Sequence, residues 1–231
     1  GYRIGRVARL SREELVECLS TARDDTEPPL DEALDAMHAL DGPRLEAIAY
    51  EELDRLGPVR FASAFAVPLL QATGDRWVAG TLGVASEHLA SALLRSMLGG
   101  LLARAQGEGV LHAVFATPEG EVHELGTLAA ALVAAESGAR VTYLGINLPA
   151  ADIVHAVDEL AADVVALGFT HLPVARAREI LAELELRLPA RVKIWLGGAH
   201  CEALAGGRVE AMVDLAALER RLIEQSSTAS D

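Results

Sequence analysis

Lysine is all but missing from this chain. Lys193 is the only one in 231 residues, so no Gly-x-x-x-x-Gly-Lys phosphate loop exists. Cysteine is almost as scarce. Cys18 and Cys201 stand far apart in no metal-type spacing, which reads as buried or free thiols of a cytosolic protein and not as a disulfide framework. No uninterrupted apolar run reaches the roughly 18–20 residues of a membrane helix, because charges and glycines cut the alanine-rich stretches. The start, GYRIGRVARLSREEL, is basic and amphipathic without the apolar core of a secretory signal. The expectation is a cytoplasmic protein with no membrane partner. Positive charge is short as well: 20 Lys and Arg against 34 Asp and Glu give a net charge of −14, which argues against gripping nucleic acid through the bulk surface. Residues 1–12 depart from this, with Arg3, Arg6, Arg9 and Arg12 and no acid.

What is abundant is apolar: 51% hydrophobic residues, enough to bury a core in one large or two small domains. From about residue 11 to 104 the pattern is helical. Ser11 and Glu14 make a capping box ahead of the first helix. In PPLDEALDAMHAL, Leu30, Leu34, Met37 and Leu40 form an amphipathic stripe that ends at Asp41-Gly42-Pro43. PRLEAIAYEELDRLG repeats the pattern, and VRFASAFAVPLLQATG is nearly all apolar with a kink expected at Pro68. DRWVAGTLGVASEHLASALLRSMLGGLL follows, so four or five helices predict a bundle.

At Gly107-Glu108-Gly109 the period changes. VLHAVFAT (110–117), RVTYLG (140–145), DVVALGF (163–169) and VKIWLGG (192–198) are short apolar runs rich in β-branched residues, and VEAMVD (209–214) is a candidate fifth strand. Helical segments lie between them, which predicts a parallel sheet with helices on both faces. The expected fold is thus α plus α/β: a four-helix-type bundle followed by a doubly wound, flavodoxin- or Rossmann-like five-stranded sheet. The divisions expected are a linker at 1–24, the bundle at 25–104, the α/β domain at 105–218 and a polar tail at 219–231.

Such sheets bind ligands beyond the carboxyl ends of their strands, at a topological switch point. His123 lies in the loop after the first strand. By itself it is either an exposed loop histidine or a metal ligand whose second ring nitrogen donates to Glu121, which would fix the tautomer and raise its basicity. Gly126 would let backbone and a cofactor approach closely. After the second strand run come Thr142, Leu144 and Gly145, and after the fourth come Gly197 and Gly198. The glycine pair suits either a tight turn or a flat group lying along the backbone.

Together, E-x-H-x-x-G, T-x-L and G-G in this order resemble the cobalamin-binding domain family. The resemblance implies that His123 is the lower axial ligand of cobalt, that Thr142 lies beside the buried nucleotide tail, and that Gly197 and Gly198 line its channel. Glu121 stands where the family more often has aspartate. In the helical half, Trp77, nine residues, then Glu87-His88 resembles the signature of the CarH/LitR-type light-dependent transcriptional regulators. In one straight helix Trp77 and His88 would share a face about 16 Å apart. The resemblance implies that Trp77, Val84, Glu87 and His88 contact the upper, deoxyadenosyl ligand of adenosylcobalamin. GYRIGRVARLSREEL resembles the last piece of a MerR-type DNA-binding domain, without its recognition helix. Where known members have a histidine after the tryptophan, this chain has Val78, which cannot coordinate cobalt.

The expectation is a non-enzymatic photosensory module. It binds adenosylcobalamin, changes oligomeric state when light cleaves the cobalt–carbon bond, and contacts DNA only through another domain. The rival reading is a corrinoid carrier protein for a methyltransferase. An isomerase subunit is a third, weaker reading, since the chain has no substrate barrel.

Overall fold

The computed structural model describes residues 28–105, 107 and 109–228. The basic start, the capping-box helix expected from Ser11, and Cys18 lie outside the described residues. Helix α1 spans Leu30–His38, α2 Gly42–Leu56 and α3 Pro58–Arg60, which runs through a π-helical stretch, Phe61–Ala66, into α4, Val67–Val78. Helix α5 spans Val84–Leu102. Leu34 and Met37 are buried, as their spacing implies, but Leu40 lies past the end of α1 at φ 54° and is 55% exposed. Asp41 Oδ1 accepts the amide of Arg44 at 3.1 Å and caps α2. The kink expected at Pro68 takes the form of the π stretch before it. The amide of Val67 reaches back five residues to Ala62, and Pro68 has no N–H for the carbonyl four residues behind it, so a widened turn there forfeits little.

The stretch from Trp77 to His88 is not one helix. α4 ends at Val78, Gly80 turns the chain at φ 70°, and α5 starts anew at Val84. The shared-face argument for Trp77 and His88 therefore fails, and the tertiary fold sets their relation.

The sheet half contains β1 (His112–Pro118), α6 (Leu125–Glu136), β2 (Arg140–Leu148), α7 (Ala150–Glu159), β3 (Val164–Gly168), α8 (Val174–Arg187), β4 (Lys193–Gly197), α9 (Cys201–Leu204), β5 (Val209–Ala211) and α10 (Leu215–Thr228). All strand pairs are parallel, in the order β2-β1-β3-β4-β5. The expected five-stranded doubly wound sheet is present. Residues 219–228, expected as tail, continue α10, which buries Leu218 and Leu222 against the sheet beside Phe115 and Trp195. Cys201 is a buried free thiol.

The bundle does not keep its core to itself. Met37, Leu45, Phe61, Phe65, Leu69, Leu94 and Leu98 form one apolar cluster with Leu128, Leu132 and Val133 of α6. Burial of each such side chain is worth about 1.5–3 kcal/mol, so α6 serves as both an outer layer of the sheet and a wall of the bundle. The chain leaves β1 toward β2 on one side and returns to β3 on the other, which puts the switch point at the carboxyl ends of β1 and β3.

Candidate functional site

Two loops meet at that switch point. After β1, the Thr117 hydroxyl donates to the Glu121 carbonyl at 2.7 Å and accepts the Asn147 amide at 3.1 Å. Gly120, at φ 89°, turns the chain and donates its amide to Asn147 Oδ1 at 2.7 Å. This tight turn drives Glu121 inward, where it is 0% exposed. Its Oε1 accepts the His123 amide at 3.0 Å and His123 Nδ1 at 2.7 Å. The Glu121–His123 contact is thus direct. Its Oε2 accepts three successive amides of the second loop, Thr170 at 2.8 Å, His171 at 2.7 Å and Leu172 at 3.2 Å. Burial pushes the Glu121 carboxyl up, but the amide of His171, the amide and ring of His123, and the amide of Thr170 together hold it down at about 2.

A carboxylate can only accept, so His123 Nδ1 carries a proton, and in the neutral ring Nε2 presents the lone pair. The imidazole is about half exposed. Its ring stacks on that of His171, centroids 3.8 Å apart and planes 25° from parallel. Glu121, His123 and His171 are a cluster whose ligand atoms lie within 4.8 Å of one another. With Glu121 occupied by amides, the outward Nε2 of His123 is the donor this arrangement offers a metal. Gly126, one turn on, has open space where a side chain would stand, and a side chain at Gly197 would meet only the Met212 carbonyl, at 4.0 Å. The site thus pairs an oriented imidazole with a cleared floor, which fits a corrinoid. When bound, a corrinoid would supply a cobalt ion for that donor.

Sequence reasoning did not single out His171. Its signal was available in THLP, a histidine at the carboxyl end of the third strand run. Gly198 touches the same loop: at φ 98°, a side chain there would meet the Phe169 carbonyl at 2.1 Å.

Thr142, Leu144 and Gly145 do not join the site. They lie on β2, three strands from β4 and so about 14 Å from the glycine pair at ~4.8 Å per strand. The Thr142 hydroxyl bonds His112 Nε2 at 2.9 Å, while His112 Nδ1 faces the Leu160 carbonyl at 3.2 Å. Leu160 can only accept, so Nδ1 carries the proton and Thr142 donates. Leu144 packs on the core between the sheet and α7 and α8. The residue paired with Gly197 is Gly168 of β3. A side chain at Gly168 would strike Thr127 Oγ1 at 2.0 Å, so the hydroxyl over that strand end is Thr127 of α6, 7% exposed.

Arg95 of α5 pairs with Glu124 Oε1, and Tyr143 Oη donates to Glu124 Oε2 at 2.7 Å. Burial, then the Glu124 carboxylate, pushes the Tyr143 hydroxyl well above its ordinary range. Further along α5, Leu102 packs against the cluster that includes Ala131 and Ala134 of α6. α5 and α6 therefore run alongside one another, and the first turns of α5 extend past the carboxyl ends of the strands. His88 is seven residues before Arg95, on the same helix face and about 10 Å along the axis. His88 Nδ1 lies 2.6 Å from Glu87 Oε2, and Ser91 Oγ donates to Glu87 Oε1 at 2.5 Å. Trp77, Val78 and Val84 are 51%, 80% and 56% exposed, an apolar group left uncovered at the same end of the bundle.

Comparison with known proteins agrees with this geometry. A family model described as B12 binding domain matches residues 111–218, and another of the same description matches residues 29–101. The fold is shared with the monomethylamine corrinoid protein of Methanosarcina barkeri, at a TM-score of 0.66 and 15% identity over 84% of this chain and 96% of that one. Sheet, histidine loop and bundle together define a cobalamin-binding protein. The HTH-type transcriptional repressor CarH of Myxococcus xanthus is 38% identical over 192 residues, 80% of this chain and 64% of that protein. The HTH-type transcriptional repressor CarA of the same organism is 33% identical over 209 residues, 84% of this chain and 70% of that protein. The chain belongs to the family of these repressors and spans about two thirds of their length.

Proposed function

We propose that this chain is the adenosylcobalamin-sensing portion of a light-dependent transcriptional repressor, a sensor with no catalytic turnover. The observation that carries the reading is the 2.7 Å bond from His123 Nδ1 to the buried Glu121, which commits Nδ1 to the carboxylate and leaves Nε2 for cobalt. His123 is the lower ligand. Glu121 fixes its tautomer and strengthens it as a donor. Gly126 and Gly197 leave room for the cofactor against the backbone, Gly198 lets the loop after β3 pack close beside them, and Thr127 replaces Thr142 as the hydroxyl beside the nucleotide tail. Trp77 and Val84 cover the upper ligand while Glu87 and His88 supply its polar contacts. In the dark the bundle rests on this ligand. Its loss leaves the apolar surface of Trp77 and Val84 uncovered, and α5 shifts against α6, changing the assembly of copies of the chain. DNA contact belongs to a segment before the described residues, which suits the net charge of −14.

The fold likeness to a corrinoid protein keeps a carrier role as the competing reading. The two separate on cofactor choice. Apo-protein loaded in the dark should retain adenosylcobalamin better than methylcobalamin and change spectrum and assembly on illumination. Equal retention, with no change of assembly in light, would favour the carrier. His123→Ala should weaken binding by at least the 10–100-fold typical of losing a supporting group and leave the bound cofactor without a histidine-ligated spectrum.

A further inference from the structure

We infer that His171 is a positioning residue for the lower ligand: its ring, stacked on His123, holds that imidazole in the plane from which Nε2 can reach cobalt. The inference rests on the reading of His123 as the cobalt ligand. A hydrogen bond from Nδ1 to Glu121 fixes one edge of the ring but leaves it free to swing about that bond. Nearly half of the imidazole faces solvent, so on that side packing has little hold. The His171 ring lies against its face, at 3.8 Å and 25°. The placement of His171 is itself stiff, since the amides of Thr170, His171 and Leu172 converge on Glu121 Oε2. One carboxylate thereby sets both rings, its Oε1 orienting His123 and its Oε2 anchoring the loop that carries His171. Gly198, packed against the Phe169 carbonyl, braces that loop from β4. His171 is not the ligand in this arrangement, because among the described residues no carboxylate hydrogen-bonds its ring and Glu121 is spent on His123.

The stack needs a flat ring and not a nitrogen, which makes the inference testable with two substitutions. His171→Ala removes the ring but keeps the backbone amide that bonds Glu121, so helix content and thermal midpoint should hold. Its adenosylcobalamin should dissociate in the dark about 2- to 12-fold faster, the range a ring–ring contact represents, while the bound fraction keeps its histidine-ligated spectrum. In the apo-protein, NMR of ¹⁵N-labelled histidine should show the His123 ring exchanging between orientations. His171→Phe should restore the dissociation rate to within about twofold of wild type. If His171→Phe behaves like His171→Ala, or His171→Ala like wild type, the positioning role is wrong. If His171→Ala loses the histidine-ligated spectrum while His123→Ala retains it, His171 is the ligand and the inference is overturned. A wild-type protein that binds cobalamin with its own base still attached to cobalt would instead sink the reading of His123, whatever His171 does.

Discussion

Arg95 on α5 and Glu124, the residue that follows His123, form an ion pair that ties the bundle to the sheet at the edge of the cofactor site, and Tyr143 completes it from β2. Arg95 is 52% exposed at its side chain and Glu124 12%, so solvent screens one end of the pair. Arg95→Ala should cost only about 0.5–1 kcal/mol in urea unfolding. Tyr143→Phe should cost about 1–2 kcal/mol, since a partly buried hydroxyl bonded to a carboxylate is lost. Because both act on one carboxylate, the double variant should deviate from additivity by at least about 0.5 kcal/mol. Strict additivity would mean that the two contacts are independent.

Thr142 and Thr127 should exchange the roles their positions in the sequence suggest. Thr142→Val removes the donor to His112 Nε2 and should lower the thermal midpoint while leaving cobalamin loading intact. Thr127→Val keeps the shape but removes the hydroxyl and should weaken loading with little loss of stability. The His112 bond carries a pH signature. Burial, and then the Arg140 guanidinium, depress the His112 pKa below its ordinary 6.5. A group depressed on folding contributes stability that is present above 6.5 and lost as pH falls through the lowered value. Acid titration of the apo-protein should therefore show a loss below pH 6.5 that shrinks in Thr142→Val. Loading that fails in Thr142→Val but survives in Thr127→Val would restore the original assignment.

Gly198→Val should abolish cobalamin loading by way of the second loop. The residue has φ 98°, where a β-branched side chain is strained, and its Cβ would sit 2.1 Å from the Phe169 carbonyl. The loop must move, and the amides that hold Glu121 Oε2 move with it. Far-ultraviolet dichroism should stay unchanged while cofactor stoichiometry falls toward zero. Full stoichiometry in this variant would show that neither loop nor channel depends on Gly198.

The upper face should respond separately. Trp77→Ala removes a side chain of the kind that buries roughly 150–250 Å² and should lower the preference for adenosylcobalamin over cobalamins with smaller upper ligands. After illumination Val78 offers no donor. The spectrum should then be that of aquocobalamin, or a bis-histidine spectrum lost in His88→Ala, because Glu87 already orients His88 as Glu121 orients His123. A bis-histidine spectrum that persists in His88→Ala would exclude both outcomes. Val78→His should give a stable bis-imidazole product.

Sequence alone determined whatever depends on neighbours along the chain. The 3.6-residue stripes, the change to short β-branched runs after Gly109, and Glu121 two residues before His123 are local patterns, and they yielded the bundle, the sheet and the candidate histidine with its carboxylate. Tertiary structure decided whatever depends on strand order. Thr142 belongs to the second strand run, and β2 lies at the edge of the sheet, beyond β1 from β3 and β4. The hydroxyl near the glycine pair therefore comes from α6, and the ring beside His123 comes from the loop after β3. Chain spacing does not record which loops the switch point brings together. It also hid the break between Trp77 and His88, because a helix end at Gly80 saves little in propensity and was settled by how α4 and α5 fold back on α6. His123 was legible because its partner is two residues away; His171 was not, because its partner is 48 residues away and meets it only when β1 and β3 pair.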